Sequence, residues 1–230
     1  MADFLLSCSV WGVVLTLFVF YGATLLQKKT GAAWCNPLLL SSIFIILFLS
    51  FAKIPYRDYQ ESTGIIRYLL LPATVSLAIP LYEQWQLLKD NALAIFAGIS
   101  AGVAASLGCI LVLGLLFRLE PQLIVTLLPK SVTTAIGMDV SRELGGLASL
   151  TSAVIVTTGI TGNLIAQGLC RLLHITNPIA RGVAIGTSAH AIGTARALQM
   201  GPVEGAMSSL SIAVAGILTA VLCPMITALL

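Results

Sequence analysis

The sequence has very little charge. Only 9% of its 230 residues are Asp, Glu, Lys or Arg, whereas 58% are hydrophobic and the mean hydropathy is +1.01. A soluble domain carries about 25% charged residues, so this composition excludes one. The net charge of +3 is too small and too scattered to indicate a nucleic-acid-binding protein. The apolar runs are long and continuous, which favours helices over the alternating strands of a membrane barrel.

Residues for metal, redox or hydrolytic chemistry are also scarce. His174 and His190 are the two histidines, too few for a recognisable metal site. The odd number of cysteines, without a CxxC spacing, indicates buried, inert thiols. They are Cys8, Cys35, Cys109, Cys170 and Cys223. Ser188 precedes His190 closely, but two residues in one segment do not make a triad, and neither G-x-S-x-G nor H-E-x-x-H occurs. We expect no enzyme activity, cofactor or metal.

Six apolar stretches predict about six transmembrane helices, since a helical span needs about 20 apolar residues. They are Leu5–Leu26, Pro37–Phe51, Gly64–Tyr82, Asn91–Phe117, Leu147–Leu173 and Val203–Leu230. The third contains Pro72 and Pro80, so either a kinked span or a partly interfacial helix fits it. The basic residues Lys28, Lys29, Arg171 and Arg181 favour an N-terminus outside the cytoplasm.

The fourth stretch carries a face of small residues. Gly98 and Gly102 have GxxxG spacing, and Ala105 and Ser106 follow them. Such a face suits close helix packing, either within the chain, against a second copy or against a partner.

Two further segments, residues 121–146 and 178–201, are interrupted by polar residues and both contain Ala-Ile-Gly. Irregular polar backbone at membrane depth is tolerated only where protein buries it or where it lines a wet cavity. Paired interrupted segments indicate the substrate site of a transporter. If both are re-entrant, they form an inverted repeat whose tips meet near the midplane. If both are fully crossing broken helices, their relative orientation changes but a central site remains. We predict an N-terminal helical bundle (1–120) and a transport-type core (121–230).

The first segment places Lys130 directly after Pro129. Free N–H groups at the start of a new half-helix after the proline would face an anion. The alternative is an interfacial lysine that extends its ammonium towards water. Asp139 and Arg142, three residues apart, are expected to neutralise each other on one helix face.

The second segment places His190 among small residues. An ionisable residue at membrane depth suggests contact with substrate or a proton, but a neutral histidine that bridges two helices fits equally. Arg196 could clamp a carboxylate or pair with Glu204. Between the segments, a stripe formed by Thr157, Thr158, Thr161 and Asn163 could line a path or bond across helices. The predicted substrate-binding residues are Lys130, Ser131, Thr133, Thr134, Asn163, Thr187, Ser188, His190, Thr194 and Arg196.

The motifs closely resemble those of the LrgB/CidB family. They are Pro129-Lys-Ser-Val-Thr-Thr-Ala-Ile-Gly137, Gly145-Gly146, Gly159-Ile-Thr-Gly-Asn163 and Gly186-Thr-Ser-Ala-His-Ala-Ile-Gly-Thr-Ala195. The resemblance implies a multi-pass protein of the bacterial inner membrane that works in a homo- or hetero-oligomer, beside a small LrgA/CidA-type membrane protein. It implies no catalytic residues.

The same resemblance implies two alternative functions. One is a holin/antiholin-like control of murein hydrolase export and autolysis. The other is transport, since plant relatives carry glycolate and glycerate across plastid membranes and bacterial relatives are linked to pyruvate and similar acids. Placed Lys, His and Arg residues in two polar tips favour a secondary transporter of small hydroxy or keto monocarboxylates, which works by alternating access. A holin makes a large, unselective lesion in the membrane, and such a lesion does not need these charged and polar residues.

Overall fold

A computed structural model describes residues 10–30 and 36–228, and within those ranges it contains helices and no β-strand. Five helical stretches there are long and apolar enough to cross a membrane, and Pro37–Phe51 is a shorter apolar helix. The prediction of an all-α polytopic membrane protein is confirmed. The first residues of the predicted span Leu5–Leu26, together with Cys8, Cys35 and the last two residues, lie outside the described ranges.

The chain divides into two compact units between Ser76 and Leu77. The helices of the first unit are α1 (Trp11–Thr30), α2 (Pro37–Phe51), α3 (Tyr56–Ser62), α4 (Gly64–Tyr68) and α5 (Leu70–Ser76). α2 begins where Asn36 accepts hydrogen bonds from two backbone N–H groups, with proline in the first turn. Trp11 and Leu49 pack α1 against α2.

The second unit contains both interrupted segments. Its helices are α6 (Ala78–Glu83), α7 (Trp85–Asp90), α8 (Ala92–Leu116), α9 (Pro121–Leu127), α10 (Thr134–Glu143), α11 (Ala148–Leu172), α12 (Pro178–Met200) and α13 (Pro202–Thr227). The division falls before α8, whereas the sequence-based boundary at residue 120 falls after it. The predicted span Gly64–Tyr82 is a run of short helices on both sides of the division.

The first interrupted segment folds into a helical hairpin, which we call hairpin 1: α9, residues 128–133 and α10. Its two ends lie side by side. Gln122 donates a hydrogen bond to the carbonyl of Gly145 at 3.1 Å, and the N–H of Leu147 donates to Thr126 Oγ1 at 2.9 Å. The segment therefore returns to the end of the unit where it began.

The second interrupted segment, α12, is also a helical hairpin, which we call hairpin 2. Its helix is broken at His190, which has φ 41° and ψ −143°. A straight helix of 23 residues would separate its ends by about 35 Å. Instead, Arg181 near its start lies 3.8 Å from Glu204, while Leu198 near its end contacts Gly205. Both arms of hairpin 2 thus lie beside the first turn of α13.

The two hairpins approach each other from opposite ends of the unit, as contacts along α11 show. At the start of α11, Thr151 donates to the carbonyl of Thr126 in hairpin 1 at 3.0 Å. Further along, Gly159 lies against the ring of His190. Beyond Gly159, towards the other end of α11, the residues of hairpin 2 that contact this helix lie progressively farther from His190. The tips therefore meet near the middle of the helix.

Contacts along α8 give the same order. From its start to its end, the contact pairs are Gly98 with Val183, Gly102 with Thr187, Ser106 with Ser131, and Gly114 with Ile124. The first two pairs belong to hairpin 2 and the last two to hairpin 1. The small face predicted for this helix therefore packs within the chain and receives both tips. The sequence left open whether each interrupted segment folds back, and the contacts show that both do.

Candidate functional site

The tip of hairpin 1 places an ammonium group against two hydroxyls. Leu128 and Pro129 are buried and anchor the tip, and Lys130 follows them. Lys130 Nζ donates to Ser131 Oγ at 2.9 Å and to Ser106 Oγ of α8 at 3.3 Å. The two hydroxyl oxygens are 3.1 Å apart and share a hydrogen bond. The three side chains form one small polar cluster on α8 and the tip.

This cluster lies in the wall of a cavity of about 720 Å³. The cavity runs between α8 and the first arm of hairpin 2, and its lining is mostly apolar. The polar side chains in its lining are Asn91, Ser106, Lys130, Ser131, Asn177, Thr187 and Ser188. Lys130 is the one charged residue among the described residues that line it. No described carboxylate forms an ion pair with Lys130.

A second cavity, of about 420 Å³, lies on the α11 side of the same arm. The hydroxyl-bearing residues Thr157, Thr158 and Thr161 line it. Lys130 and Ser188 line both cavities. Three of the four residues in the polar stripe predicted on α11 thus line a cavity.

The tip of hairpin 2 is held by hydrogen bonds inside the protein. His190 is 2% exposed, and its Nε2 lies 3.0 Å from the carbonyl of Ile155 on α11. Because a carbonyl only accepts, Nε2 carries a proton. Thr194 donates to the carbonyl of His190 and shares a 2.7 Å hydrogen bond with Ser208 of α13. Neither His190 nor Thr194 lines either cavity.

The backbone of His190 gives a testable prediction about this tip. With φ at 41°, a side chain is strained there, and glycine is not. We expect His190→Gly to be more stable than His190→Ala by about 1 kcal/mol, since both lose the bond to Ile155 and only glycine relieves the strain. In an ordinary helix the order is reversed by about 1 kcal/mol. Thermal unfolding of the two purified variants measures the order, and a more stable alanine variant contradicts it.

The remaining predicted residues lie around the tips and not in the two cavities. Thr133 precedes α10, and Thr134 is its first residue. Asn163 donates to the carbonyl of Ile192, just beyond the break in hairpin 2, at 2.7 Å. Arg196 donates to the side chains of Gln167 and Gln199. Of the ten predicted residues, the cavities bring together Lys130, Ser131, Thr187 and Ser188.

The distances between charged groups show which of the predicted ion pairs form. The predicted pair Asp139–Arg142 is confirmed, with 3.1 Å between Oδ1 and Nη1 on the exposed face of α10. The suggestion that Arg196 pairs with Glu204 is wrong, because the buried carboxylate of Glu204 lies against Arg181. Arg181 also donates to the carbonyl of Ile175 at 2.6 Å, so it holds the loop before hairpin 2, while its contact with Glu204 ties the start of hairpin 2 to α13.

Ser106 is a site residue that the sequence does not reveal. The sequence pattern predicts it only as part of the small packing face of α8. Its position one helical turn beyond Gly102 places its hydroxyl on that face, but the local sequence carries no signal that the face meets Lys130. Asn91 and Asn177, at the starts of α8 and hairpin 2, were also missed as cavity residues.

Comparison with protein families gives a match along nearly the whole chain. The model of the LrgB-like family matches residues 16–229, which include both hairpins and the cavity residues. No solved structure matches the chain.

Proposed function

The chain belongs to the LrgB-like family, and we propose that this multi-pass membrane protein is a secondary transporter of small hydroxy or keto monocarboxylates, such as glycolate, glycerate or pyruvate. It works by alternating access around the two hairpin tips. No covalent step and no cofactor enters this proposal.

One observation carries the proposal: the ammonium of Lys130 stands in a cavity wall between the two tips, and its bonding partners are neutral hydroxyls. A cation at membrane depth costs free energy unless an anion or water compensates it. A bound carboxylate compensates it, whereas the hydroxyls of Thr187 and Ser188 donate to backbone carbonyls of their own helix. The apolar remainder of the lining suits a short carbon chain.

The shape of the cavities suits access from one end. Asn91 and Asn177, at the starts of α8 and hairpin 2, line the larger cavity, and Leu169 and Cys170, near the end of α11, line the smaller one. These four residues lie at the end where hairpin 2 begins. Both cavities extend from there to Lys130. We propose that the opposite state opens along hairpin 1, and that close glycine contacts of α8 let the hairpins shift.

Membership of the family is equally compatible with a holin-like role in murein hydrolase export and autolysis. A holin passes large solutes without selection, so it has no use for a single lysine placed between two tips. The same carboxylate chemistry would serve import or export. The further proposals are a location in the bacterial inner membrane, a periplasmic N-terminus and a small LrgA/CidA-type partner.

Flux through purified protein in liposomes separates the two functions. Vesicles hold a large trapped dye, and labelled glycolate or pyruvate is added outside, with and without a proton gradient and with and without the small partner. A carrier gives saturable uptake that other short acids inhibit, while the dye stays inside. Release of the dye together with unselective flux would favour the holin-like role and contradict the proposal.

A further inference from the structure

The donors of the cluster at Lys130 can be counted. An ammonium has three N–H groups, and Lys130 uses two of them on the hydroxyls of Ser106 and Ser131. One N–H is left. Each serine hydroxyl has one proton, and their mutual 3.1 Å hydrogen bond uses one of the two. One O–H is left as well.

These two remaining donors are neighbours in the wall of the larger cavity. No other hydrogen bond from either serine side chain occurs among the described residues, so a backbone carbonyl does not take the remaining O–H. A carboxylate has two oxygens that accept side by side, and two adjacent donors, one of them charged, match it.

We propose that Ser106 is a substrate-binding residue. Together with Ser131 it orients the ammonium of Lys130 and presents a hydroxyl proton beside it, so that a carboxylate binds through both oxygens. On the basis of the proposed transport function, the pair Ser106–Ser131 determines the head-group specificity of the site. A neutral amide, which has one acceptor oxygen and a donor in place of the second, fits this cluster poorly.

The test compares uptake of labelled glycolate by wild-type protein, Ser106→Ala, Ser131→Ala and the double variant. Each single variant leaves one hydroxyl free to donate, so its half-saturating concentration should rise only about threefold. The double variant should show a rise of about tenfold or more, since a hydrogen bond to a charged group is lost. The maximal rate should change less than twofold. Ser106→Thr keeps the hydroxyl and should stay within twofold of wild type.

Two controls separate binding from structure. Gly108→Ala, on the same helix, adds a methyl group into open space and should leave the half-saturating concentration unchanged. Glycolamide, offered as a competitor, should inhibit wild type poorly. The double variant should lose most of this preference for the acid over the amide, which a purely structural role would not change.

The outcomes are distinguishable. If wild type transports glycolate and the double variant matches it in affinity and in preference for the acid, the assignment of the serine pair is wrong and the transport function stands. A loss in Ser106→Thr as large as in the double variant also overturns the assignment. If wild type shows no saturable uptake, the proposed function is wrong and this inference falls with it.

Discussion

Replacing Lys130 with alanine is expected to lower carboxylate uptake about a hundredfold or more. The ammonium is the one charge among the described residues lining the larger cavity, and no described carboxylate neutralises it. A bound acid in the variant would be desolvated without a counter-charge, and truncating one partner of such a pair costs about 2–5 kcal/mol. Each 1.4 kcal/mol is about a tenfold change in affinity. Initial uptake rates at low substrate concentration measure the loss.

Two further variants serve as controls for the effect of Lys130→Ala. Lys89→Ala removes an exposed lysine that lies over the ring of Trp85, with 5.0 Å from Nζ to the ring centroid, and should transport like wild type. Lys130→Arg keeps the charge on a larger group and should recover part of the flux. Uptake by Lys130→Ala within threefold of wild type, at equal protein per vesicle, would mean that Lys130 does not bind the substrate.

Replacing Gly186 with alanine is expected to destabilise the second unit by about 1–3 kcal/mol, the usual cost of overpacking. Here hairpin 2 packs directly on the backbone of α13. A Cβ at Gly186 would lie 2.4 Å from the carbonyl oxygen of Ser208 and 2.7 Å from Cβ of Ser211. Backbone cannot move aside as a flexible side chain can, so the two elements must separate. A fall of several degrees in the unfolding temperature of the detergent-solubilised protein measures the effect.

The matched control is Gly168→Ala. Gly168 lies inside α11, and a Cβ there meets nothing within 4 Å. Alanine is the better helix former by about 1 kcal/mol, so this variant should be as stable as wild type or more stable. Equal unfolding temperatures for the two variants would show that hairpin 2 and α13 are not packed as closely as described.

The sequence predicted the helical class, most spans and the two interrupted segments, because composition and length decide these features. Hydropathy alone identifies α8, α11 and α13, and the Ala-Ile-Gly pair identifies the hairpins. The direction in which each interrupted segment leaves its break could not be predicted. It depends on contacts between residues far apart in the chain, such as Gln122 with Gly145 and Arg181 with Glu204.

The same reason limited the prediction of the site. Lys130 and Ser188 were recognisable because polar residues in an apolar sequence are conspicuous. Which polar residues face a cavity and which bond inward depends on the packing of the tips. His190 bonds to Ile155 and Thr194 to Ser208, whereas Ser106 on a packing face meets the ammonium of Lys130. Nothing in the local sequence distinguishes these cases.

The central claim is that a carboxylate binds at Lys130 between the two hairpin tips, and substrate protection of a cysteine at position 188 tests it most directly. Ser188 lines both cavities, so Ser188→Cys is made in a chain whose five native cysteines are alanine. The rate of labelling by a small water-soluble thiol reagent is measured with increasing glycolate or glycolamide. The account predicts saturable protection by glycolate, little by glycolamide, and none when Lys130 is also alanine. Labelling that glycolate does not slow, or slows equally without Lys130, would contradict it.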